Sequence, residues 1–166
     1  MADRSLEAQI AAILKEKGFK LALAESCTGG MIAARMVNVP GVSEVFETGF
    51  VTYANEAKVR LLGVREETLS LHGAVSAETA EEMARGAAKA AYAEAAIGVT
   101  GVAGPDGGTD EKPVGLVYIG CYVNGMVQVK EYRFKGNRES IRKSAAETAL
   151  EQLRCCLSEQ DDIRKE

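Results

Sequence analysis

The sequence predicts an α/β domain of three layers, α/β/α, with a mixed central sheet that includes an antiparallel hairpin. Three observations carry that expectation. Segments with helical apolar spacing alternate with short runs rich in β-branched residues. One Asn-Gly pair sits between two apolar runs, the strongest short hairpin signal. The 166 residues, 46% hydrophobic and 27% charged, suffice for one core and leave little for a second. No internal repeat, low-complexity stretch or Ser/Pro-rich linker interrupts the chain, so residues 1–166 read as a single domain.

Leu6, Ile10, Ile13 and Leu14 recur at helical spacing before Gly18, which predicts a first helix over about residues 4–17. "FKLALAE" reads as a buried strand. Thr-Gly-Gly after Ser26 breaks it, and "MIAARMV" resumes a helix that must end before Pro40. "EVFETGFVTYA" has strand composition, while "NEAKVRLLG" returns to helix formers and stops at Gly63. From Ser76, a candidate N-cap, an Ala-rich helix running to Ala93 places Ala80, Met83, Ala84, Ala87 and Ala91 on one face, suited to close packing. "EAAIGVTG" is a strand that opens into a long Gly-rich loop. "LVYIGCYVNGMVQVKEYRF" then folds back at Asn124-Gly125, and Asn137 caps a last helix carrying Ile141, Ala145, Ala149 and Leu153, with a charged tail expected to fray.

Charge and composition exclude several function classes. Twenty Lys and Arg stand against 24 Asp and Glu, so the net charge of -4 gives no general attraction to nucleic acid or to an anionic membrane. No apolar run approaches the roughly 20 residues of a membrane span, and the amino terminus lacks a secretory pattern, which fits a cytoplasmic protein. Cys27, Cys121, Cys155 and Cys156 form no C-x-x-C motif, and His72 is the single histidine. A zinc site and a Ser-His-Asp triad are therefore poorly supported, and no metal or cofactor is expected.

The stretch "AESCTGG" leaves three readings open. Ser26, between a strand and a helix, could be a nucleophile whose oxyanion is met by backbone amides; it could equally be a turn residue. Gly29 and Gly30 could let those amides cradle a phosphate instead. The string matches neither the G-x-S-x-G elbow nor a Walker loop. With histidine scarce, the base for a serine nucleophile would be a desolvated lysine. Lys58 is the candidate, with Tyr53 at the same sheet end; the alternative is a solvated helix lysine beside a strand-end aromatic. Gly101, Gly104, Gly107 and Gly108 in "TGVAGPDGG" suit a loop that wraps a ligand or simply covers the surface. Arg138 and Arg142, four apart on the last helix, could grip a phosphate or form ordinary ion pairs. Cys27 is the second choice of nucleophile, and His72 reads as a helix-end residue.

Taken together, "AESCTGG", "GFVTYANEAK", "GVREETLSLHGAVS", "GVTGVAGPDGGTDEKPVG" and "GNRESIR" resemble the CinA C-terminal domain family, in order and over nearly the whole chain. Active members of that family are nicotinamide mononucleotide deamidases of pyridine nucleotide salvage. The resemblance implies that Ser26 is the nucleophile, Lys58 the general base and Tyr53 an assisting hydroxyl. On that basis amides around Thr28 and Gly29 would hold the oxyanion, Gly101 and Gly104 would line the ligand, and Arg138 or Arg142 would meet its phosphate. It further implies a homodimer, expected to use the hairpin around Tyr118 to Val123 or the Ala-rich helix. Family members can follow an amino-terminal molybdopterin-binding-like domain; this sequence reads as the stand-alone C-terminal part. Two rivals remain: a regulatory module that binds a nucleotide without cleaving it, and a dinucleotide reductase. The second rests only on Tyr53-x-x-x-x-Lys58, one residue longer than the reductase spacing.

Overall fold

The computed structural model describes residues 5–163. The elements run α1 (Leu6–Lys17), β1 (Leu21–Glu25), α2 (Met31–Met36), β2 (Phe46–Val51), α3 (Asn55–Leu62), α4 (Glu66–His72), α5 (Ala77–Ala91), β3 (Ala95–Gly101), β4 (Leu116–Val123), β5 (Met126–Arg133) and α6 (Arg138–Ile163). The local signals do what their chemistry requires. Ser5 accepts from the Ala8 amide and Gly18 closes α1 in the left-handed region; Ser76 accepts from the Thr79 amide at the start of α5. Asn137 Oδ1 accepts from the Ser140 amide at the start of α6, and Asn124-Gly125 turns the hairpin with positive φ at both residues.

The five strands form one sheet in the order β2-β1-β3-β4-β5. β1 lies parallel to both β2 and β3, whereas β4 is antiparallel to β3 and to β5. Helices cover both faces, as the alternation of helical and strand segments predicts. One face is built from larger side chains: Leu21, Leu23, Ile97, Val99, Val117 and Ile119 pack under α1, α2 and α6. The other face is nearly flat. Ala22, Ala24 and Ala96 meet Met83 and Ala87 of α5, and a Cβ on Gly98 or Gly120 would stand only 2.6 or 2.8 Å from the Ala80 carbonyl oxygen. Small residues on both partners let α5 approach the sheet this closely, which is the packing its alanine stripe suggests.

Several boundaries move. α2 stops at Met36, β2 begins at Phe46 after a short 3-10 turn at Val42–Glu44, and α5 ends at Ala91 with Tyr92 left-handed. α4 is an added helix that carries no side-chain cap and leaves Leu71 exposed, so it lacked a periodic signal. Arg4, the first residue of the expected α1, lies outside the described residues, as does the end of the charged tail; α6 is helical through Ile163. The expected dimer surfaces are corrected. β4 is hydrogen-bonded on both sides within the sheet, and the alanine face of α5 is buried against it. Among the described residues no helix is long and apolar enough to cross a membrane.

Candidate active site

The carboxyl ends of β1 and β3, where consecutive connections leave the sheet in opposite directions, open a crevice of the kind that holds ligands in parallel α/β sheets. Three segments converge there. Ser26 follows β1, the stretch Thr52–Lys58 follows β2, and Val102–Gly107 follows β3, whose last residue is Gly101. They enclose a cavity of about 300 Å³ whose lining includes Ser26, Tyr53, Lys58, Gly101, Gly104 and Arg138.

At its floor, Lys58 Nζ lies 3.0 Å from Ser26 Oγ. Lys58 is only 1% exposed, and its other hydrogen-bond partners are the main-chain oxygens of Thr52 at 2.7 Å and Tyr53 at 3.3 Å. No carboxylate pairs with it among the described residues. Desolvation therefore dominates and holds the amine below its ordinary 10.5, the electrostatic influence of the neighbouring Cys27 opposing it in part. Two carbonyls match the two N–H bonds of a neutral amine, so its lone pair is left facing the serine hydroxyl. This is the arrangement an amine base needs to take a proton from Ser26.

The loop that carries Ser26 is held from both sides. The Ser26 amide donates to Val99 O at 3.1 Å, and the Gly29 amide donates back to Ser26 O at 3.1 Å. Gly29 and Gly30 take φ of 57° and 101°, values that other L residues adopt only with strain. Neither glycine lines the cavity, and the Gly29 amide is already spent on that turn. Thr28 is fully buried, with its Oγ1 unpaired. The expectation for Arg142 is corrected: its Nε and a guanidinium NH2 group donate to the carbonyl oxygens of Cys27 at 2.8 Å and Thr28 at 3.1 Å, so it is a clamp on the loop and does not line the cavity. Arg138 does line it, donating to Gly104 O at 2.6 Å and to the Tyr53 hydroxyl at 2.9 Å. The Tyr53 ring is exposed, and its hydroxyl faces Arg138; only its main-chain oxygen reaches Lys58.

Burial pushes the Cys27 thiol up to about 11, which removes the thiolate a cysteine nucleophile needs near neutral pH. His72 closes α4, exposed, 3.6 Å from Glu78. Its main-chain oxygen accepts from Lys112, which ties the Gly-rich loop to that helix. Sequence reasoning missed Thr52 and Thr100. The first is silent because its main-chain oxygen does the work. Thr100 lines the cavity with its hydroxyl donated to Ala74 O at 2.7 Å, a contact no local pattern announces.

The sequence profile of the CinA C-terminal domain matches residues 3–157. The chain belongs to that family. A CinA-like protein of Kosmotoga olearia is 53% identical over 155 residues, which are 93% of this chain and 38% of that protein; the chain thus spans well under half the length of that relative. Among solved structures, the competence/damage inducible protein CihA of Agrobacterium tumefaciens is 45% identical with a TM-score of 0.88, covering 92% of this chain and 93% of that one. A CinA superfamily protein of Escherichia coli is 34% identical at a TM-score of 0.85, covering 92% and 91%. The CinA fold is thus shared well beyond the motif strings.

Proposed function

We propose that this CinA-family domain is an amidohydrolase that converts nicotinamide mononucleotide and water to nicotinate mononucleotide and ammonia, in the cytoplasm and within pyridine nucleotide salvage. The observation that carries the reading is the 3.0 Å approach of a buried, carboxylate-free Lys58 to Ser26. The substrate class comes from the family.

Lys58 accepts the Ser26 proton as Oγ bonds to the carboxamide carbon. The Gly29 amide is committed to its turn, so the oxyanion falls to the amide of Cys27, the residue after Ser26 and part of the cavity lining. Lys58 then passes its proton to the amide nitrogen, the C–N bond breaks, and ammonia leaves an acyl-serine. A water loses a proton to Lys58 and attacks the acyl carbon; the C–Oγ bond breaks and Ser26 recovers its hydrogen. The substrate phosphate lies toward Arg138, the one guanidinium among the described residues that line the cavity. The chemistry calls on no metal or redox cofactor.

The test is ammonia release from nicotinamide mononucleotide by the purified chain beside Ser26→Ala, with the product mass confirmed. Release by the wild type alone supports the reading. Binding by both proteins with release by neither replaces it with a nucleotide-binding module of the same fold. The same proposal includes a homodimer, and light scattering that returns a monomer at micromolar concentration rejects that part.

A further inference from the structure

One buried acidic side chain beside the site has no part in the chemistry above. Glu25 is the last residue of β1, immediately before Ser26, and is 1% exposed. Its side chain crosses the loop: the Ile32 amide donates to one carboxylate oxygen at 2.9 Å and the Ala33 amide to the other at 3.1 Å. α2 has need of it, because Gly30 at its N-cap offers no side chain to the first-turn amides. The positive end of the helix in turn offsets the cost of burying a carboxylate.

The same residue reaches the base through its main chain. The Thr52 amide donates to Glu25 O at 2.9 Å, and Thr52 O accepts from Lys58 Nζ at 2.7 Å. Glu25 therefore stands at the junction of two short paths, one through its carboxylate to the far end of the nucleophile loop, the other through Thr52 to Lys58. Its own backbone is fixed, since β1 is paired on both sides, with Val51 and with Val99 opposite Glu25.

We infer that Glu25 is a positioning residue: by bridging from the end of β1 to the first turn of α2, its carboxylate fixes the Ser26–Gly30 loop so that Oγ meets Lys58. This rests on reading Ser26 as the nucleophile. Gln at position 25 keeps the length and one acceptor oxygen, but sets an NH2 group against a backbone N–H, so half of the bridge is lost while loop and strand keep their sequence.

The experiment follows covalent labelling of the full chain by a serine-reactive fluorophosphonate, read by intact mass, for wild type, Ser26→Ala, Glu25→Gln and Glu25→Asp. Rate constant and final labelled fraction are recorded separately, beside the thermal midpoint. The wild type is expected to label at Ser26 and Ser26→Ala not at all. Glu25→Gln is expected to label on the order of tenfold more slowly, the scale of a lost charged hydrogen bond, with its rate following the same pH limb as the wild type because Lys58 is untouched. A purely structural role would lower the labelled fraction and the midpoint but leave the rate constant of the folded fraction alone. Glu25→Asp, one methylene short of the bridge, serves if the glutamine variant fails to fold. Either variant labelling at the wild-type rate overturns the proposal, as does a wild type that does not label at Ser26. A wild type that labels yet releases no ammonia from nicotinamide mononucleotide rejects the proposed substrate, and the Glu25→Gln rate still decides the role of Glu25.

Discussion

The floor and the rim of the cavity are built on opposite terms. At the floor, Ser26 and Lys58 are 9% and 1% exposed and bonded to each other. At the rim, Tyr53 is 61% exposed and shares its hydroxyl with Arg138, itself exposed. Burial at the floor shifts a proton equilibrium, since an amine removed from water gives up its charge more readily. Exposure at the rim leaves the Arg138 guanidinium free to exchange a tyrosine hydroxyl and a carbonyl for a better anionic partner. On the proposed amidohydrolase reading the contrast puts chemistry at the floor and recognition at the rim, and substitutions in each region should separate along that line.

Lys58→Met should cause the largest effect. Removing the base is expected to lower kcat by about a thousandfold or more with the fold retained, measured as ammonia release. The wild-type rate should climb with pH through the lowered lysine pKa and then level off, because the proposed mechanism needs the neutral amine. Stability supplies an independent check of sign. The folded pKa lies below the unfolded 10.5, so the unfolded chain binds more protons between the two values and wild-type stability falls as pH drops through that window. Methionine has nothing to protonate. The midpoint difference between the two proteins should therefore move in favour of Lys58→Met on lowering pH below about 10, and a constant difference would break the account of a neutral lysine.

At the rim, Arg138→Ala should act on binding. With the phosphate contact gone, KM for nicotinamide mononucleotide is expected to rise roughly tenfold to a hundredfold, while kcat stays within about threefold. Steady-state kinetics at saturating substrate separate the two. A fall in kcat with KM unchanged would move Arg138 into the chemistry and erase the division between floor and rim.

How much of this was legible in sequence depends on whether the signal is local. The caps at Ser76 and Asn137, the Gly18 and Gly63 stops and the Asn124-Gly125 turn are short-range devices, and each is where the residues placed it. The strand order is not local, yet alternation of helix and strand followed by a hairpin left few arrangements for it. The site divided in the same way. Residue type and the scarcity of histidine made Ser26 and Lys58 candidates beside the readings of a turn serine and a solvated lysine, and it was the family resemblance that singled them out. What Arg142 does depends on two carbonyls more than a hundred residues away, and a carbonyl has no letter in the sequence. Helical spacing paired Arg142 with Arg138 on one face, but only packing shows one guanidinium turned to the loop and the other to the cavity. The hairpin misled for a related reason: an apolar hairpin strand looks exposed until helices α5 and α6, distant in sequence, pack over it.

The smallest effect belongs to Cys27, and it tests the floor more finely than its size suggests. Cys27 adjoins Ser26, lines the same cavity and is 5% exposed, so location alone does not choose between hydroxyl and thiol. Electrostatics do. Burial outweighs the lowering effects of its own backbone amide, Arg142 and Lys58, and places the thiol at about 11. With that value, the thiolate at neutral pH is on the order of one part in ten thousand. Ser26, by contrast, has a base 3.0 Å from its oxygen. Cys27→Ala should accordingly keep kcat within about threefold of wild type and cost about 1 kcal/mol of stability for the small void left beside the loop. Ammonia release and thermal unfolding measure the two quantities. A variant that folds normally but loses turnover by orders of magnitude would transfer the nucleophile to sulfur and leave Ser26 as its hydrogen-bonding neighbour.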